Sequence, residues 1–141
     1  KGVALYTQAI QQYKNAIAIL PENTEALYNL GVCYYSTGDK ANALKVYQQV
    51  LTITPEYTNA ANNAGVLYFE QKDYKTAQKY FEQALKYAPA NADALANLGA
   101  IYHNLGNIKM AIEYYKKALA LNPGNQNTRN NLVKAERSIG Q

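Results

Sequence analysis

The chain has no tryptophan, one cysteine (Cys33), one histidine (His103) and only four prolines in 141 residues. A single cysteine excludes an internal disulfide and a cysteine-built zinc site; a lone thiol also suits a reducing compartment, so the location stays open with the cytoplasm favoured. No continuous apolar run approaches the roughly 18 residues that cross a bilayer, so membrane insertion is not expected. No charged start leads into an apolar run, as a secretory signal would. The first residue is Lys1 rather than Met, which fits a piece of a longer protein or a processed product. Basic residues outnumber acidic ones by 14 to 10, but Lys116–Lys117 is the only adjacent pair. Without a basic stripe, nucleic acid is not an expected partner. No phosphate-cradling glycine-rich loop or helical metal motif is present, so neither a cofactor nor a metal is expected.

What is present is a period. The four prolines, Pro21, Pro55, Pro89 and Pro123, stand 34 residues apart. A fixed period in this range marks units that stack on one another instead of folding alone. With proline set at place 32, the full units are 24–57, 58–91 and 92–125. A partial unit, 1–23, comes before them, with Lys1 at place 12 and a helix expected over 5–20. A helical tail, 126–141, follows. With 48% hydrophobic and 17% charged residues, the whole is a single folded domain. Tyr supplies 14 of the aromatics, which suits a thin core whose rings reach partly into water.

Each full unit reads as two helices. In the first, Leu27, Leu30, Gly31 and Tyr34 recur as Ala61, Ala64, Gly65 and Tyr68, then as Leu95, Leu98, Gly99 and Tyr102. Their spacing places them on one helical face. In the second, Ala43 and Tyr47 recur as Ala77 and Phe81, then as Ala111 and Tyr115, with Ala9 and Tyr13 in the partial unit. A glycine inside a helix costs about 1 kcal/mol relative to Ala, so its recurrence implies close approach of the second helix, with the small Ala facing it and the ring beside it. Gly38–Asp39, Lys72–Asp73 and Gly106–Asn107 form the turns between helices. There glycine suits a left-handed residue and Asp or Asn caps the next helix. Lys72 breaks the glycine rule, so its turn is expected to be strained or closed differently. Asn23, Asn91 and Asn125 are the expected caps of first helices, with Thr58 in that role in the middle unit.

These residues resemble the tetratricopeptide repeat family, whose pattern runs from a large residue through Leu-Gly, Tyr, Ala and an aromatic to Pro. The resemblance covers nearly the whole chain. It departs where Leu or Ala replaces the family's tryptophan and where Val50 replaces the usual Ala. It implies an all-α fold, a right-handed α-solenoid of antiparallel helix pairs: three full repeats, a partial N-terminal repeat and a C-terminal capping helix. Val133 at the glycine place and the polar Arg129, Lys134, Glu136 and Arg137 suit such a cap.

The resemblance also implies that the first helix of each pair lines a concave groove. Place 6 then forms a ladder of Asn29, Asn63, Asn97 and Asn131. A carboxamide both donates and accepts, so a row of them can hold the N–H and C=O groups of an extended peptide. Val32 and Val66, with Ala100, form an apolar row beside it. Tyr35, Phe69 and His103 form a row of rings, and both rows end in cations, Lys134 and Arg137. Place 5 adds Tyr28, Asn62, Ala96 and Asn130. Some members of the family hold a chaperone's C-terminal carboxylate with Lys, Asn, Asn, Lys and Arg. The matching places here are Tyr28, Val32, Asn63, Asp93 and Asn97, of which only Asn63 agrees, so that mode is rejected.

Chemistry finds little footing. Cys33 and His103 lie two units apart, too far for a nucleophile pair within one chain. Cys33 stands where Leu67 and Ile101 stand in sister units, as a small packing residue. The expected function is therefore a non-catalytic scaffold that binds an extended segment of another protein in its groove. The alternatives are a self-assembling structural module and the substrate-recruiting domain of a larger enzyme. Ile10, Ile17 and Ile19, left without a partner helix, motivate self-association through the N-terminal helix.

Overall fold

A computed structural model describes residues 2–140; Lys1 and Gln141, and the place-12 assignment of Lys1 with them, lie outside the described residues. Eight helices and no strand occur among those described. They are α1 (Gly2–Ile19), α2 (Thr24–Ser36), α3 (Lys40–Ile53), α4 (Thr58–Glu70), α5 (Tyr74–Tyr87), α6 (Ala92–Asn104), α7 (Ile108–Leu121) and α8 (Gln126–Gly140). Each packs on its neighbours in sequence, and α6 also touches α4 and α8. The first helices of successive pairs thus stand side by side along one face of a solenoid, as expected of repeats that contact only their neighbours.

Capping follows the sequence closely. Asn23, Asn91 and Asn125 accept from the backbone N–H of Ala26, Ala94 and Thr128. Asp39, Asp73 and Asn107 accept from Asn42, Thr76 and Met110. The middle unit differs from expectation. Tyr57, not Thr58, occupies the cap position of α4 and makes no side-chain cap bond. Thr58 is already helical, and its hydroxyl donates back to the Glu56 carbonyl at 3.3 Å. The Tyr57 ring instead packs on Tyr28, with centroids 5.0 Å apart, so this cap position supplies packing rather than a hydrogen bond.

The turn at Lys72 closes in the same way as its sisters. Lys72 has φ 64°, close in kind to the 85° of Gly38 and Gly106. The next residue's N–H reaches the carbonyl of Tyr34, Tyr68 or Tyr102 in all three turns, at 2.8, 3.0 and 2.9 Å. A lysine held there is strained by about 1 kcal/mol, because its Cβ crowds the following carbonyl.

α1 starts at Gly2 rather than at residue 5. The places that form turns in the sister units are held here by Ala4 and Leu5. Neither residue favours a left-handed turn or a cap, so the helix runs through them. No residue of α1 is buried, and Val3, Leu5, Ile19 and Leu20 are all exposed.

The repeated glycine is explained by its neighbour. A Cβ placed on Gly31, Gly65 or Gly99 would lie 2.5 Å from Tyr47 Cε1, 2.7 Å from Phe81 Cε1 or 2.6 Å from Tyr115 Cδ1. The ring itself, rather than the small Ala, presses on the glycine. All three rings are at most 1% exposed. Gly65→Ala should therefore destabilise the protein by about 1–3 kcal/mol through overpacking, despite the better helix propensity of Ala. Urea unfolding reads this directly, and an unchanged or raised midpoint would refute the packing account.

Candidate functional site

The inner face of α4, α6 and α8 carries a hollow of about 380 Å³. Three members of the asparagine ladder, Asn63, Asn97 and Asn131, line it together. They meet because a 34-residue period returns each to the same face of a side-by-side helix. Asn29 stands apart, in a separate hollow of about 220 Å³ with Tyr13, Asn23 and Glu25. The large hollow also takes in Asn59, Asn62, Asp93, Asn125, Asn127 and Thr128, over a floor of Val66, Ala96 and Ala100. Its lining contains no cation.

The asparagines are not equivalent. The Asn63 carboxamide nitrogen donates to the hydroxyls of Tyr28 and Tyr47, both at 3.2 Å. Its two N–H groups are thereby spent inside the protein, which leaves its oxygen as the group free for a partner. Tyr28 is occupied in turn, between the Asn63 amide and the rings of Tyr47 (5.9 Å) and Tyr57 (5.0 Å). Asn97 and Asn131, half-buried at the edge of the hollow, retain both functions of the carboxamide.

The apolar row and the rings are divided among different settings. Val32, Tyr35 and Val66 share a smaller hollow of about 180 Å³ with Tyr47 and Asn63. The Tyr35 hydroxyl donates to Glu70 Oε1 at 2.8 Å, and Lys40 pairs with Glu70 Oε2 at 2.8 Å. These bonds, the one from Lys40 foremost, hold the Glu70 carboxyl below its usual range, and the bond to Glu70 pushes the Tyr35 phenol up. Phe69 lies edge-on to Tyr74 at 5.3 Å, and His103 is half-buried in the last turn of α6. Lys134 and Arg137 line a hollow on α8 with Asn130 and Val133, not the asparagine hollow. Cys33 is buried, and burial raises its thiol pKa, which suits an inert packing residue.

Asn62 belongs to the place-5 row read from the sequence, whereas Asn59, Asp93 and Asn127 were not singled out there as binding residues. The signal was present: Asn59, Asp93 and Asn127 share place 2, one helical turn before the ladder and on its face.

Under the groove, burial pushes the phenols of Tyr47 and Tyr115 up to about 12, in Tyr47 against the bond from Asn63. In the unfolded chain both ionise near 10. Their contribution to stability is therefore complete below pH 10 and is lost as pH rises through about 12. Thermal midpoints should fall steeply over that window. Tyr115→Phe, which copies Phe81, should remove roughly half of the fall. A midpoint that stays flat between these values would contradict the burial of the two phenols.

Comparison with known proteins places this geometry. A family model described as tetratricopeptide repeat matches residues 24–57 and 92–125. A second, described as TPR repeat, matches 6–38 and 65–106. No curated protein matches the chain. Two crystal structures of MamA are each 25% identical with TM-scores of 0.88; they cover 96% and 97% of this chain and 79% and 75% of their own. The first TPR of Spaghetti (RPAP3), bound to the HSP90 peptide SRMEEVD, is 22% identical with a TM-score of 0.80, over 84% of this chain and 94% of that one.

Proposed function

The chain belongs to the tetratricopeptide repeat family, and we propose that it is a non-catalytic scaffold that holds an extended segment of a partner protein along its inner face. The carrying observation is that Asn63, Asn97 and Asn131 meet in one hollow of about 380 Å³. In this reading, Asn97 and Asn131 grip the peptide backbone by paired donation and acceptance. The shared hollow of Val32, Tyr35 and Val66 takes an apolar side chain. Lys134 and Arg137 lie outside the asparagine hollow, in their own hollow on α8. Each neutral hydrogen bond adds only about 0.5–1.5 kcal/mol, so affinity needs several of them together with apolar burial.

The RPAP3 domain shows that a relative of this fold accommodates a peptide. The acidic sequence of that peptide does not suit this groove. Where other members carry carboxylate-holding cations and amides, this chain has Tyr28, Val32, Asp93 and Asn97.

A second reading, self-association through α1, is supported by the exposure of Val3 (69%), Leu5 (67%) and Ile19 (86%); a mass that rises with protein concentration would favour it. The groove reading is tested by Asn97→Ala combined with Asn131→Ala. Asn63 is unsuitable, because its amide supports Tyr28 and Tyr47. In a pull-down with quantified partner, the double variant should lose about tenfold in affinity, with an unchanged circular dichroism spectrum. Full-strength capture by the double variant would refute the ladder.

A further inference from the structure

The smaller hollow of about 180 Å³ lies at the boundary between the first two full units, with Val32 and Tyr35 from α2, Tyr47 from α3, and Asn63 and Val66 from α4 around it. Asn63 and Val66 also line the asparagine hollow, so the two hollows adjoin. Val32 and Val66 are half-buried and Tyr47 is withdrawn from water, but Tyr35 is 39% exposed. An exposed ring changes rotamer freely unless it is tied. The Tyr35 hydroxyl donates across the boundary to Glu70 Oε1 of α4 at 2.8 Å, and Lys40 of α3 reaches the other oxygen of the same carboxylate at 2.8 Å. The Lys40 ammonium also stands 5.8 Å from the centroid of the Tyr35 ring. The three side chains thus close a triangle that spans three helices. Stacking of the units does not require the bond from Tyr35. At the next boundary the Tyr74 hydroxyl, at the place of Lys40, donates to Asn104, at the place of Glu70, at 3.3 Å. Phe69, at the place of Tyr35, has no hydroxyl to tie.

We infer that Tyr35 sets the groove's selection of one uncharged apolar side chain of the bound peptide, and that Glu70 and Lys40 are the positioning residues of its ring. The inference rests on the groove reading above and specifies how the apolar hollow of that reading selects. Its size suits a side chain, because small-molecule sites span roughly 300–1,000 Å³. Its chemistry suits an apolar one. The walls are valine and ring carbon, with Asn63 as the one amide, and the charges that hold the Tyr35 wall, Glu70 and Lys40, are spent on each other. A charged side chain placed there would lose water and find no free counter-charge, which is unfavourable. Backbone bonds of the kind Asn97 and Asn131 offer hold any sequence, and side-chain hollows beside them supply the selectivity. A Tyr35 ring fixed before the peptide arrives removes the cost of ordering it on binding.

The test is selection from a displayed library of randomised peptides on the wild type and on Asn97→Ala/Asn131→Ala, followed by affinities for the enriched peptide and for its counterpart with Ala at the apolar position. Each variant is first checked for helicity. The wild type should enrich Leu, Ile, Val, Met or Phe at one fixed position, and Ala there should weaken binding about tenfold. Tyr35→Ala should lose about tenfold for the enriched peptide and nothing for its Ala counterpart. Glu70→Ala and Tyr35→Phe, which remove the tie but leave the ring, should each lose about fivefold, again for the enriched peptide alone. Glu70→Gln, which keeps an oxygen for the Tyr35 hydroxyl, should recover most of that loss. Full affinity in Tyr35→Ala, or equal losses for both peptides in the Tyr35 and Glu70 variants, would overturn the inference. Enrichment that depends on Asn97 and Asn131 but has no apolar position would also overturn it, and would leave the backbone grip of the ladder standing. If no peptide is enriched, or if enrichment is indifferent to Asn97 and Asn131, both readings fall.

Discussion

The contact on which the rest of this structure depends is an aromatic ring pressed against a helical glycine. Gly31 meets Tyr47, Gly65 meets Phe81 and Gly99 meets Tyr115, in each case too closely for a Cβ. The glycine costs its helix about 1 kcal/mol. The ring, fully withdrawn from water, returns about 1.5–3 kcal/mol, and the seat sets how near the two helices of a pair approach. Because the seat recurs every 34 residues, every pair has the same shape, and identical pairs stack with their first helices in a row. The inner face is a consequence of this repetition. Val133 stands at the glycine place of α8, so that helix lacks the bare backbone on which a ring seats in the three full units.

Repetition brings like residues together and the differences between repeats give the face its chemistry. The ladder asparagines occupy one place, yet Asn63 is tied to Tyr28 and Tyr47 while Asn97 and Asn131 open onto the hollow. The divergence follows from the neighbours each one meets. Tyr28 stands one repeat before Asn63, whereas Asn62 stands one repeat before Asn97 and Ala96 one repeat before Asn131. A tyrosine hydroxyl reaches the carboxamide where an alanine methyl cannot. The same substitutions open the hollow beside α6, where small residues form its floor.

Features that repeat were legible in the sequence, because a period converts residue identity into position. Helix pairs, turns, the close approach at glycine and most caps follow from residue type at a fixed place. What was not legible depends on contacts between different places. Thr58 looks like a cap by composition, but the ring of Tyr57 takes the position because it can pack on Tyr28. Ala43 looks like the partner of Gly31, but the Tyr47 ring, one helical turn further along α3, is what lies against it. The start of α1 at Gly2 follows from the absence of turn residues at Ala4 and Leu5, a signal that is visible only once the sister turns are known. The four-membered ladder is one row in sequence and two settings in space, because Asn29 lies beyond the hollow its sisters share.

The central claim, that the asparagines of the inner face are where a partner is held, is tested most directly by the side-chain carboxamide signals in a nuclear magnetic resonance titration with a captured peptide. The account predicts that the signals of Asn62, Asn97 and Asn131 move together and saturate with binding, while those of Asn15 in α1 and Asn42 in α3 stay in place. Binding that shifts Asn15 or Asn42 and leaves Asn97 and Asn131 unmoved would contradict it.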